Sequence, residues 1–306
     1  MMAEKGKRIV VTGGTGLIGS RLSELLAADY QLTVLTRSTH MISNNPSIKY
    51  VSWNGESSLA SILEGAYGII NLGGENIGSK AWTKQQKEKI INSRLDLAQH
   101  LASCLVALKE RPQVWIQASA TGYYGIDKNQ IFDESSPLGT GFLAQVCEAW
   151  EGVLQKVEVA GLRKIFIRTG LVLSPAAELW KQLTLTLPFR FAVVAGSGKQ
   201  KLPWIHIDDE LRAIIFLLEN QDCQGSFNLV APRACTMQDL VQTIGLHKPI
   251  YFNIHISKML LGLVLGKEKT RELILVDQEI KPTRLLEAGF KFGCQNIGEG
   301  VKRCFI

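Results

Sequence analysis

From Lys7 to Arg37 the chain reads KRIVVTGGTGLIGSRLSELLAADYQLTVLTR, and this stretch limits the fold more than any other. An unbroken β-branched run ending at glycines is the pattern of a strand buried on both faces of a parallel sheet. Leu17, Ile18, Leu22, Leu25 and Leu26 then recur at helical spacing, and QLTVLTR is a second strand. Strand, glycine turn, helix and strand within about 30 residues make a βαβ unit, which needs a right-handed crossover. Short apolar strands are expected again at 67–74 and 113–120, with a helix between them ending in KEKIINSRLDLAQHLASCLVAL. A helix over about 141–160 and a strand at KIFIRTGLVLS continue the alternation. The prediction is an α/β fold with a Rossmann-type doubly wound parallel sheet.

After about residue 175 the alternation loosens. A helix near 178–187 and the loop AGSGKQK precede WIHIDDELRAIIFLLEN, a strand turn feeding a long helix. QGSFNLVAP is a short strand, and TMQDLVQTIGL is a helix capped by Thr236 with Asp239 at its third position. Residues 256–280 add helical material, and KPTRLLEAGFKFG is a helix stopped by Gly289. Residues 1–175 are thus expected as the nucleotide-binding domain, with later strands returning to it, and 176–306 as a smaller helix-rich C-terminal lobe.

Composition narrows the function classes. With 46% hydrophobic and 20% charged residues in 306, the chain can bury a large core and is not a disordered type. Its net charge of +6 is spread along the sequence, which gives little support to a nucleic-acid or membrane partner and suits an anionic small molecule equally. Cysteines 104, 147, 223, 235, 294 and 304 form no CxxC pair, so they are expected as buried thiols of a reducing compartment, with no metal site. The basic N-terminal stretch has too short an apolar run for a signal peptide, and MLLGLVLG (259–266) falls short of a membrane span. A cytoplasmic location is expected.

The turn after the first strand carries Gly13, Gly16 and Gly19 at GxxGxxG spacing. The first glycine permits the tight turn, the second lets backbone N–H groups approach a pyrophosphate, and the third lets helix and strand pack closely. Thr12, Gly13, Thr15, Gly16, Leu17, Ile18 and Gly19 are therefore candidate dinucleotide contacts. At the end of the second strand, where an acidic residue would bind the ribose of NAD, stand Arg37 and Ser38. An arginine there can pair with a 2′-phosphate, so the expected cofactor is NADP, with NAD the alternative.

TGGTGLIG, NLGGENIG, SATGYYG and WIHIDD, in this order, resemble the extended short-chain dehydrogenase/reductase superfamily. More narrowly the chain resembles, over nearly its whole length, an atypical "epimerase family" branch, NAD-dependent epimerase/dehydratase-like. Residues 250–300, with RLLEAGF, resemble the small uncharacterised domain of that branch. The resemblance implies an NADP-binding Rossmann lobe and a substrate lobe related to sugar-nucleotide epimerases. It implies Asn71, Gly73, Gly74 and Arg168 beside the cofactor, and Glu75, Asn76, Trp204 and His206 on the substrate side. For His206 a structural role stays open, as does helix capping for Asp208.

The sequence departs from the superfamily at its Tyr-x-x-x-Lys pair, in which the tyrosine moves a proton and the lysine holds the nicotinamide ribose. No tyrosine occurs in 135–160, and the matching register places Leu143 and Cys147 at the two positions. Candidates to replace the chemistry are Ser119, Tyr123 or Tyr124, Arg94 and Cys147 itself; the register also allows Ala120 at the serine position. Each has a bland alternative: a packed aromatic, an arginine that orders its helix, an inert thiol. Glu134 resembles the acidic loop residue before the active helix, and a solvated carboxylate is the other reading.

The expected function is an NADP(H)-binding oxidoreductase or epimerase-like protein that exchanges hydride with an unidentified polar small molecule, with nucleotide sugars among the options. The rival is an NADPH sensor or scaffold with little turnover. The resemblance implies dimerisation through the helices over about 83–108 and 141–160; the first is polar at its start and apolar only from Leu95, so a monomer or weak homodimer is expected.

Overall fold

A computed structural model describes residues 6–38, 41–53, 56–126 and 130–306. The first five residues of the basic N-terminal stretch lie outside these. The β-branched run becomes strand β1 (Arg8–Thr12), followed by β2 (Gln31–Leu35), β3 (Ile48–Val51), β4 (Gly68–Asn71), β5 (Val114–Ala120), β6 (Arg163–Thr169) and β7 (Gly225–Leu229). All pair in parallel in the order β7-β6-β5-β4-β1-β2-β3. The order reverses between β1 and β4, and in such sheets ligands bind in the crevice beyond the carboxyl ends at that switch point.

Alternating side chains of each strand feed opposite layers. Ile9, Val11, Ile116 and Ile167 pack under α1 (Leu17–Leu26) and the helix Ile207–Glu219, through Leu22, Leu26, Leu211 and Ile214. Val10, Ile69, Trp115 and Phe166 face the other way, against α2 (Glu56–Leu63), α3 (Lys84–Ala107) and α4 (Phe142–Gln155) through Leu59, Leu101, Leu105 and Leu154. Burial on both faces is why these strands read as continuous apolar runs.

β3 was not foreseen. It is a four-residue edge strand paired only with β2, too short to announce itself. KIFIRTGLVLS is not one strand but two. A Cβ at Gly170 would lie 2.1 Å from the Pro203 carbonyl oxygen, and beyond this crossing Leu171–Leu173 leaves the sheet to pair with Trp204–His206.

The chain past residue 175 returns to the sheet with the helix Ile207–Glu219 and β7, then builds a second apolar core from Trp180, Val194, Trp204, Leu240, Ile244 and Val301. The strand Phe191–Ala195 pairs in parallel with Phe252–Ile256 in this lobe. Thr236 and Asp239 form the expected capping box on Met237–His247, and Gly289 follows Thr283–Glu287 at φ +88°.

Candidate functional site

At the carboxyl end of β1 the glycine turn is shaped by two close approaches. Gly13 has φ +67°, and a Cβ there would lie 2.7 Å from the backbone of Leu72. A Cβ on Gly19 would lie 2.3 Å from the Gly13 carbonyl oxygen, so this glycine sets the closeness of helix and strand. Gly16 is less constrained, at 3.3 Å from the same oxygen. No side chain caps α1 at Gly16, and Thr15 and Gly16 form an exposed crest over half-buried Leu17 and Ile18. An uncapped helix start at a glycine crest presents N–H groups and a positive dipole end to an anion.

Thr12 and Asn71 lie beneath this crest, fully buried, and do not line it. The Thr12 hydroxyl bonds Asn71 and accepts the Gly73 N–H at 3.2 Å, while Asn71 donates to Gln117 at 2.9 Å. They are the floor that holds the Leu72–Gly73 chain against Gly13. Gly73 is buried and Gly74 exposed.

Arg37 is exposed past the end of β2 and lines a cavity of about 500 Å³ with Glu75, Lys80, Glu88, Lys89 and Ser93. Ser38 beside it is exposed, its N–H held by the Thr36 hydroxyl at 3.1 Å. Lys80 and Lys89 carry no local sequence signal; the fold brings them here. Another cavity, of about 510 Å³ around Lys7, Arg8 and Gln31, lies at the amino ends of the strands, away from the crevice.

On α4, Leu143 and Cys147 pack against the end of β5. A Cβ on Gly122 would lie 3.0 Å from Leu143 Cβ and 3.8 Å from Cys147 Sγ, so these two side chains sit against the segment that follows β5. Cys147 donates to the Ala120 carbonyl at 3.6 Å, and burial pushes its thiol up to about 11. A buried thiol in this setting is the inert kind, which favours the packing reading of Cys147 over the catalytic one. α4 begins at Gly141 (φ +115°) without a cap of its own; Glu272, from the π-helical segment Thr270–Ile274, accepts the Leu143 N–H at 3.0 Å.

Ser119 also turns inward. Its hydroxyl donates to Glu151 at 2.6 Å, and Arg168 grips both oxygens of the same carboxylate at 2.9 Å. Arg168 is 4% exposed, so it braces β6 to α4 and is not placed to touch a cofactor, contrary to expectation. Burial works against its charge, but the Glu151 pair outweighs it and holds the guanidinium above its ordinary pKa. The same group meets the Tyr124 hydroxyl at 3.2 Å, which donates to Asn228 at 2.7 Å. Burial pushes that phenol up to about 12. Glu134 is no solvated loop carboxylate: it accepts the N–H groups of Asn228 (2.9 Å) and Arg284 (3.3 Å), and burial raises its pKa.

Two further expected groups are half-buried, Tyr123 and Arg94. Tyr123 is half-buried with its ring 3.4 Å from the Arg168 guanidinium carbon. Arg94 is half-buried on α3. It donates through Nη1 to the carbonyls of Glu75 (3.0 Å) and Ile90 (2.9 Å) and lies over the Trp150 ring at 5.0 Å. A Cβ on Gly74 would lie 2.8 Å from its guanidinium carbon, so the exposed glycine makes room for it. Burial lowers its pKa, and the neighbouring Cys147 and Glu75 oppose that. Glu75 is half-buried beside Gln86 at 3.2 Å, and Asn76 is exposed, turned back on the Gly78 N–H at 2.7 Å.

Trp204 and His206 are both buried, and for His206 the structural role left open above fits this placement. Trp204 is 1% exposed in the second core with its indole N–H on the Arg233 carbonyl, and His206 is 3% exposed. His206, not Asp208, caps the helix Ile207–Glu219 by accepting the Asp208 N–H at 3.2 Å. Glu151 was missed, although its place four residues after Cys147 put it on the same helix face. All six cysteines are buried and none is in a disulfide, and among the described residues no cluster of His, Cys, Asp or Glu could hold a metal. No helix among them is long and apolar enough to cross a membrane.

Known proteins agree with this geometry. A family described as NAD dependent epimerase/dehydratase matches residues 9–229. An epimerase family protein of Staphylococcus aureus (strain MRSA252) is 32% identical over 295 residues, covering 95% of this chain and 96% of its own. One of Mycobacterium leprae (strain TN) is 30% identical over 98% of this chain and 97% of its own. Among solved structures, the human epimerase family protein SDR39U1 (isoform 2) with NADPH superposes with a TM-score of 0.87 at 27% identity, over 97% of this chain and 98% of that one. A UDP-N-acetylglucosamine 4-epimerase of Methanobrevibacter ruminantium M1, in complex with UDP-N-acetylmuramic acid, shares the fold with a TM-score of 0.76 at 20% identity, over 98% of each chain. The glycine cradle that a Cβ would fill fits an NAD(P) dinucleotide, and the chain belongs to the NAD-dependent epimerase/dehydratase family, as an atypical, epimerase-like short-chain dehydrogenase/reductase.

Proposed function

We propose that the chain is an NADP(H)-dependent oxidoreductase or epimerase-like enzyme acting on a polar small molecule of the nucleotide-sugar kind. The observation that carries this reading is Arg94, a cation laid against Gly74 and Trp150 beside the apolar Leu143–Cys147 face. Gly13, Thr15, Gly16, Leu17, Ile18 and Gly19 would hold the pyrophosphate half, with Gly73 and Gly74 beneath it. Arg37 and Ser38, with Lys80 and Lys89 at the same cavity, would hold a 2′-phosphate. The nicotinamide, when bound, supplies or accepts a hydride.

This chain's own residues must then manage charge on the substrate oxygen. Arg94 donates a hydrogen bond to that oxygen and stabilises the negative charge that develops there. Tyr123 would be the phenol that exchanges its proton. Glu75 and Asn76 lie on the substrate side of the same loop. Arg168, Glu151 and Ser119 keep β5, β6 and α4 in register and touch no substrate.

The test is a panel of nucleotide sugars, aldehydes and quinones followed by NADPH absorbance, with Arg94→Met and Tyr123→Phe alongside. Turnover that falls about a hundredfold in Arg94→Met, with NADPH affinity unchanged, supports the proposal. A second reading, an NADPH sensor or scaffold without turnover, is favoured by the protonated Cys147 and the aliphatic Leu143. Tight NADPH binding with no oxidation across the panel would establish it.

A further inference from the structure

The helix Lys258–Leu265 turns its greasy side outward. Met259, Leu260, Leu263 and Val264 are 78%, 52%, 72% and 71% exposed, and only Leu261 is buried. At 3.6 residues per turn these four fall within about 140° of the helix surface, as two adjacent i,i+4 rows, so they make one broad apolar face. Isolated exposed apolar residues need no explanation, but a contiguous patch of this kind marks an interaction surface. Beside Met259 and Leu263 lies a groove of about 890 Å³, lined also by Lys258, Gly262, Lys267, Glu268 and Arg271.

The charges around the groove select the partner. Its one carboxylate, Glu268, is held by Lys87 at 2.9 Å. Lys258 and Lys267 are exposed and make no ion pair among the described residues. The segment behind the groove is anchored to the body of the protein, with the Lys269 ammonium on the carbonyls of Gly78 (2.7 Å) and Lys80 (2.9 Å). The apolar face is thus presented on a fixed support. A second copy of this face would bring no free carboxylate of the groove to these lysines, because Glu268 is already held by Lys87. Lysines flanking an apolar helix face can instead reach up to anionic headgroups while the aliphatic side chains enter the acyl boundary.

We propose that the face formed by Met259, Leu260, Leu263 and Val264, rimmed by Lys258 and Lys267, docks on the surface of an anionic phospholipid bilayer. The helix lies in the interface and does not span it; eight residues are far too few to cross. Cofactor binding at the glycine turn plays no part in this attachment.

The full chain is mixed with vesicles of phosphatidylcholine alone or phosphatidylcholine with phosphatidylglycerol, and floated on a density gradient. The protein should float with the phosphatidylglycerol vesicles and be released when salt is raised to about 1 M, where screening acts within ~3 Å. Leu263→Glu with Val264→Glu should lower partitioning at least about tenfold, and Lys258→Gln with Lys267→Gln by about tenfold. NADPH binding should be unchanged in both variants, which shows that they fold. Failure to float with either vesicle, or equal flotation with both, would overturn the proposal. So would a dimer, seen by light scattering, that Leu263→Glu with Val264→Glu dissociates, because the face would then belong to a second copy.

Discussion

The two walls of the cleft are built on opposite principles. On the cofactor side, Gly13 and Gly19 leave no room for a single added carbon, and an arginine stands where the second strand ends. On the α4 side, Leu143 and Cys147 offer an aliphatic chain and a buried thiol, and the polar groups behind them, Ser119, Glu151 and Arg168, are spent on one another. One wall is specified for a ligand and the other for packing. A chain can keep nucleotide binding while the residues that handle protons in its relatives are replaced, because the two tasks rest on different elements.

Disturbing the specified wall should have the largest effect. Gly19→Ala places a Cβ against the Gly13 carbonyl, and pyrophosphate binding depends on that turn. NADPH affinity by calorimetry should fall by at least about a hundredfold, because no flexible side chain can move aside. Retained affinity would mean the cradle is looser than the contact implies. The packed wall should respond in stability instead. Arg168→Met leaves Glu151 buried without its cation and should cost about 3–5 kcal/mol in urea unfolding.

Glu210 is a smaller and pH-dependent lever. It is fully buried in the helix Ile207–Glu219 with the Thr169 hydroxyl at 2.7 Å, and burial pushes its carboxyl up to about 8. In the unfolded chain the group ionises near pH 4.3. Between those values the native state holds the extra proton, so its contribution to stability is complete below about pH 4.3 and lost as pH rises through about 8. Glu210→Gln keeps an acceptor for Thr169 and should remove roughly 1–4 kcal/mol of that slope in unfolding measured from pH 5 to 8. An unchanged slope would show that the carboxylate is ionised in the folded protein. The smallest effect belongs to Cys147→Ala, for which NADPH affinity should stay within about threefold, under ~0.7 kcal/mol. A tenfold loss in a folded variant would put the thiol in contact with the nicotinamide half.

Local pattern was enough for the first wall. A β-branched run, a glycine turn and a helical stripe are short-range features, so β1, α1, the turn and Arg37 could be read from neighbouring residues. The apolar register of Leu143 and Cys147 was legible as an interruption of a spaced pair. What could not be read depends on distant contacts. Glu272 reaches Leu143 across 129 residues, and Asn228 reaches Tyr124 across 104. Trp204 and His206 belong to a motif that is polar in appearance and buried in fact: the tryptophan fills a core and the histidine caps a helix. Gly170 divides a run that periodicity reads as continuous, because the Pro203 carbonyl crosses there.

The proposed preference of the cofactor wall for NADP(H), independent of the α4 wall, is measured by titrating NADPH and NADH into the wild type and Arg37→Ala by calorimetry. Arg37→Ala should weaken NADPH by about ten- to a hundredfold, from the loss of roughly 1.5–3 kcal/mol of charge-assisted hydrogen bonding, and leave NADH within about twofold. Equal losses for both cofactors, or no loss for NADPH, would contradict it.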